Sequence, residues 1–188
     1  MSAPSTEVAH DLSSRPGSAL RRIGALVALF LVGGAAAGVL WEWLWDPTTG
    51  VTYQGQWYLE PAGPDQSFSS IALFVVIAVP LGVVLGVLCG IWRDHEVVTT
   101  VTVLVMAGVA GLVMYAVGHA LGPADPQVLA AAKPDYTTLP GDLGLTAPDP
   151  DRVAWHSSAL VALPAGAMAG LVGTYLLGMR GLTRRSRG

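Results

Sequence analysis

The side chains best suited to chemistry in this sequence are two carboxylates and two imidazoles that stand where apolar runs begin or end. Glu42 and Asp46 close the first run, His119 closes the third and His156 opens the fourth. Two imidazoles and a carboxylate suit zinc or another divalent ion, and imidazole also changes charge near neutral pH, so the four could form a metal site or a pH-sensitive latch. No two of them lie on one helix at ligand spacing, so that chemistry depends on helices bringing them together. The plainer expectation, interfacial polar residues and helix caps with no metal and no cofactor, needs no such convergence. Ser157 and Ser158 beside His156 offer a nucleophile and a base only in name, because adjacent helical residues point about 100° apart and no glycine elbow surrounds them. Phosphate-binding loops, dinucleotide fingerprints and paired-cysteine motifs do not occur, and the one cysteine, Cys89, excludes an intramolecular disulfide. An enzyme is therefore not expected.

The elements that must position these groups are four apolar stretches, at about 23–44, 69–92, 97–121 and 154–179. A spanning helix needs about 20 mostly apolar residues to cover roughly 30 Å of hydrocarbon. Of the 188 residues, 52% are hydrophobic and 12% charged, which leaves room for one helical domain, 21–180, and no separate soluble one. The first stretch also has signal-peptide features, with Arg21 and Arg22 ahead of an apolar core ending in Ala35, Ala36 and Ala37. Its continuation through Val39 and Leu40 into tryptophans favours a retained anchor.

Charge sets the orientation. Arg15, Arg21, Arg22, Arg93, Arg180, Arg184, Arg185 and Arg187 flank one side of the apolar runs, where the net charge is +4; the two long loops, with Lys133 and Arg152 against nine acids, carry −7. Lysine and arginine are retained in the cytoplasm during insertion, so a plasma-membrane protein with both termini cytoplasmic and loops 46–67 and 122–152 outward is expected. Trp41, Trp43, Trp45, Trp92 and Trp155 fall at the run ends, where indole favours the headgroup boundary.

The first outer loop carries β-branched and aromatic residues around a glycine, from Gly50 to Leu59, the signature of a short hairpin. A lone hairpin is marginal in water, so it should lean on the second loop or the membrane surface. Trp45, Tyr53, Trp57 and Tyr58 are the expected partner-binding side chains. Six prolines make the second loop extended, with a helical turn only at 127–132. Residues 1–20 and 181–188 read as a disordered tail and a basic tail; the arginines are topology signals and imply no nucleic acid.

Within lipid, helices associate by close packing, which small residues four apart permit. Gly34 and Gly38, Gly82, Gly86 and Gly90, Ala107 and Gly111, and Gly166 and Gly170 supply such registers, with the second segment as the central seam. Pro80 and Pro164 favour bends. The middles of the four stretches hold no Asp, Glu, Lys or Arg, which weighs against an ion pathway.

The chain resembles a family of small actinobacterial membrane proteins known only as a domain of unknown function. The resemblance rests on the tryptophan-proline exit Trp41-Glu42-Trp43-Leu44-Trp45-Asp46-Pro47, the Gly50 to Thr52 stretch, the aromatic Phe68 and the His156-Ser157 step. It implies a four-span protein of the cell envelope and transfers no functional residue. The expected fold is thus an all-α membrane protein, an antiparallel bundle of four transmembrane helices with a small extracytoplasmic loop cap containing a short β-hairpin. The expected function is a non-enzymatic accessory subunit that binds a membrane or envelope protein through acidic, aromatic outer loops. A small transporter or channel, of open oligomeric state, is the alternative.

Overall fold

The computed structural model describes residues 16–60, 64–91, 96–145 and 157–182. Four long helices dominate it: α1 (Pro16–Leu44), α2 (Pro64–Gly90), α3 (Glu96–Leu121) and α5 (Ala162–Leu182), each long and apolar enough to cross a membrane. A five-residue α4 (Pro126–Ala130) overlaps the expected turn, starting one residue before it, where Asp125 caps Gln127 N at 2.8 Å and Pro126 occupies the first turn. Helix α1 begins at Pro16, inside the stretch expected to be a tail. Pro80 lies within α2, and Pro164 lies in the first turn of α5, which follows the 3-10 turn Ser158–Val161 without a break.

Small residues decide which helices touch. A Cβ on Gly34 would strike the Ala110 backbone, and one on Gly38 would strike that of Met114 and approach Val117, so α1 lies backbone to backbone against α3. Gly82 and Gly86 meet Leu163 and Ala167, Gly90 meets Thr174, and in return Gly166 and Gly170 meet Val79 and Val83, which locks α2 to α5. In both pairs the residue numbers rise together, so the closest pairs are parallel. Antiparallel contacts are looser and join the two pairs, α1 with α2 through Gly33 against Leu81 and Leu85, and α3 with α5 beside Gly111 and Leu163. The α3 seam toward α1 runs along Ala110, Met114 and Gly118, one residue row away from the Ala107 and Gly111 expected.

The hairpin is part of a three-stranded antiparallel sheet in the order β2-β1-β3, with β1 Thr49–Tyr53, β2 Gln56–Leu59 and β3 Thr138–Pro140. Gln54 (φ 51°) and Gly55 (φ 73°) form its two-residue turn; positive φ at both centres matches the right-handed twist of the strands. The second loop supplies β3, and its proline sits at the strand end where no ladder donor is needed. Three strands satisfy what two could not.

Candidate functional site

Trp57 organises the sheet. Its indole leaves β2, lies over Gly50 on β1, where any Cβ would collide with the ring, and donates from Nε1 to Leu139 O on β3 at 3.2 Å. One side chain thereby crosses all three strands. On the outer edge of β2, Gln127 bonds both backbone groups of Trp57, accepting from N at 3.2 Å and donating to O at 3.1 Å, much as a fourth strand would. Thr52, fully buried, donates from Oγ1 to Pro134 O at 2.6 Å and accepts from Thr137 N at 3.0 Å, tying the proline-rich loop to β1. Gln54 N donates to Asp135 Oδ1 at 2.8 Å, so the hairpin turn is fixed by the same loop.

The sheet joins the helices through Leu143 and Leu145, buried in one cluster with Trp41, Phe74 and Met114. Burying two leucines stabilises this joint by about 3–6 kcal/mol, at about 1.5–3 kcal/mol each. Polar bonds fix its register: Ser70 Oγ donates to Gly144 O at 2.9 Å, Trp41 Nε1 donates to Ser70 O at 2.9 Å, and His119 Nδ1 lies 2.9 Å from Leu143 O. A carbonyl can only accept, so His119 carries its proton on Nδ1 here. The ring stacks on Tyr115 at 5.5 Å, and Tyr115 and Phe74 pack on Trp41 at 6.4 and 5.1 Å. Trp41 is thus a core residue, whereas Trp43 is 76% exposed.

Among the described residues no three His, Cys, Asp or Glu side chains come together as metal ligands. Glu42, Asp46 and His119 therefore do not assemble the metal cluster considered from sequence, and His156 lies outside the described residues. His119 Nδ1 is engaged by Leu143 O instead. Desolvation by the surrounding cap raises the Asp142 carboxyl above its ordinary range, although part of the side chain reaches solvent. Its own backbone N–H opposes that rise, the like charge of Asp125 adds to it, and His119 opposes it. Ser157 Oγ accepts from Ala159 N at 3.4 Å and caps the 3-10 turn Ser158–Val161 that leads into α5, a structural role.

Of the four expected partner-binding side chains, Trp45 and Trp57 are 8% and 7% exposed and are spent inside the protein. Tyr53 and Tyr58 remain exposed, and Tyr136, which sequence reasoning missed, joins them with its ring 5.8 Å from that of Tyr53. Tyr136 has φ 64°, held there by its N donating to Thr52 O at 2.7 Å. No periodic signal in a proline-rich loop could have placed it beside the hairpin.

Comparison with protein-family models, with curated proteins and with solved structures finds no match for this chain.

Proposed function

We propose that the protein is a four-span plasma-membrane protein of the cell envelope with both termini cytoplasmic, and that its outward sheet docks a partner protein. Three tyrosines, Tyr53, Tyr58 and Tyr136, carry this reading. They are solvent-exposed, yet they stand on a sheet fixed at both ends by Trp57 and Thr52. Aromatic side chains on a preorganised base lose little freedom on binding and make strong anchors. The acidic balance of the loops selects a basic partner surface and steers it electrostatically. The protein acts without catalysis, as an accessory subunit.

The arginine distribution supports the orientation. A transporter reading has less support, because the buried polar residues among those described, Thr52 and Ser70, sit in the sheet and where the cap meets α2, and glycine-mediated backbone contact fills the helix interfaces. The test is photo-crosslinking from position 136 in native membranes, with position 101 on an exposed face of α3 as the comparison. A discrete protein adduct from 136 alone, lost on Tyr53→Ala, is expected. Adducts to lipid only, or the same adducts from both positions, would refute docking through the sheet.

A further inference from the structure

Side chains alternate across a strand, so the pairing of Val51 with Tyr58 and of Tyr53 with Gln56 puts these four on one face of the sheet, opposite Thr52 and Trp57. Tyr136 adds its ring beside Tyr53, the two planes tilted by 53° with 5.8 Å between centroids. A tyrosine at φ 64° is strained, and this one is 76% exposed, so burial of the ring does not account for the strain. Tyr58 donates from its hydroxyl to Gln56 Oε1 at 2.8 Å, which orients the amide and leaves Gln56 Nε2 to donate to a ligand. Peptides dock by adding a strand to a sheet edge, by laying an amphipathic helix in an apolar groove, or by laying a polyproline II helix over aromatic rings. The first way is closed here: Gln127 occupies both backbone groups of Trp57 on the outer edge of β2, and β3 ends in Pro140, which has no N–H. The second lacks its groove, because the face is open sheet bearing hydroxyl and amide groups.

We propose that this face binds a proline-rich segment of the partner in the polyproline II conformation, flanked by basic residues. This names the chemistry of the partner and rests on the docking reading above. Pyrrolidine rings are rigid and pack on the tilted rings of Tyr53 and Tyr136. A polyproline II helix makes no internal hydrogen bonds, so its carbonyls take donors from the surface, here Gln56 Nε2 and the tyrosine hydroxyls. From Thr49 to Tyr53 is four steps of about 3.3 Å, roughly 13 Å, which matches a core of about four residues at about 3.1 Å each. Asp135, which accepts from Gln54 N at 2.8 Å, puts a carboxylate beside the tyrosine pair, and Glu60, whose N donates to Thr49 O, follows β2 at the other end. The three strands carry no charged residue. The ligand core is therefore uncharged, and its flanks are cationic.

The experiment uses the full chain in mild non-ionic detergent and reads the fluorescence anisotropy of labelled peptides of equal length: polyproline flanked by arginines, polyproline flanked by glutamates, and glycine-serine flanked by arginines. Binding of the arginine-flanked polyproline, about tenfold or more tighter than either of the others, is expected. Tyr53→Ala and Tyr136→Gly should each weaken it about tenfold at the parent Tm, the second because glycine suits the positive φ and removes only the ring. Asp135→Asn keeps an acceptor for Gln54 N and should narrow the gap between arginine and glutamate flanks. Equal binding of the polyproline and glycine-serine peptides, a preference for glutamate flanks, or binding unchanged in both tyrosine variants would each overturn the proposal. A loss of binding that comes only with a fall in Tm would also overturn it, since the rings would then serve the fold. If no peptide binds while position 136 still yields a discrete protein adduct in native membranes, the proline-rich class is refuted and docking stands. No binding together with lipid adducts alone refutes both.

Discussion

Substituting Gly86 by alanine measures how much of this fold depends on backbone contact between α2 and α5. The new Cβ would stand 2.8 Å from the carbonyl carbon of Ala167 and 3.0 Å from its Cα, with the carbonyl oxygen nearer still. All three are backbone atoms, so no rotamer change relieves them. Carbon contacts are optimal at about 3.5–4.0 Å, so the helices must part by roughly 0.5–1 Å, a gap that forfeits a quarter to a half of each contact along the seam. Overpacking of this kind costs about 1–3 kcal/mol. Alanine gains up to about 1 kcal/mol over glycine in helix propensity, which offsets part of the loss. Gly108→Ala and Gly173→Ala receive that gain without the clash, since nothing lies within 4 Å of either Cβ. Gly86→Ala should therefore fall below both controls by the overpacking cost, about 1–3 kcal/mol, or about 2–12 °C in Tm at about 2–4 °C per kcal/mol for a chain of this size. Thermal unfolding in detergent reads the difference. A Gly86→Ala protein as stable as Gly108→Ala would refute the seam.

Two further outcomes probe the sheet and its joint. Thr52→Val removes the oxygen that accepts from Thr137 N and donates to Pro134 O, leaving a buried amide without its partner at a cost of about 1–3 kcal/mol, read as faster hydrogen exchange across 134–140 and faster proteolysis there. Asp142 has a raised carboxyl pKa in the folded state, so folding favours its protonated form; stability from this group rises as pH falls from the raised value toward the ordinary one and is lost as pH climbs back through that window. Asp142→Asn should remove this pH dependence from a Tm series and raise Tm at neutral pH, whereas an unchanged series would show that the carboxyl is not desolvated by the cap.

Spans and seams were readable in the sequence to different degrees. Length and apolarity suffice to find α1, α2, α3 and α5, because a helix that meets hydrocarbon needs little else. The glycines of α1, α2 and α5 were also legible as contact points, since spacing alone puts small residues on one face. Their partners were not. Nothing in Gly34 or Gly86 says that the match lies on the second helix along and not on the sequence neighbour, and Gly118, which admits the Trp41 ring, has Met114 four positions before it and Gly122 four positions after it only past the end of α3. The hairpin was visible in its alternating residues, but β3 is too short to show a period and sits among prolines. Trp57 read as an exposed anchor because an aromatic in a polar loop gives no hint that Gly50 opposite has left space for it. The three described members of the histidine and carboxylate cluster, Glu42, Asp46 and His119, do not come together for a related reason: similar depth does not bring side chains together, and His119 turns to Leu143 O instead.

The account as a whole requires that the three-stranded sheet and the arginine-rich C-terminus lie on opposite sides of a membrane. In a Cys89→Ala background, single cysteines at Gln56 in β2 and at Ser186 beyond α5 can be treated in intact cells with a membrane-impermeant maleimide. Labelling at 56 in whole cells, with labelling at 186 only after lysis, is the predicted result. Labelling at 186 from outside, or equal labelling of both before lysis, would contradict it.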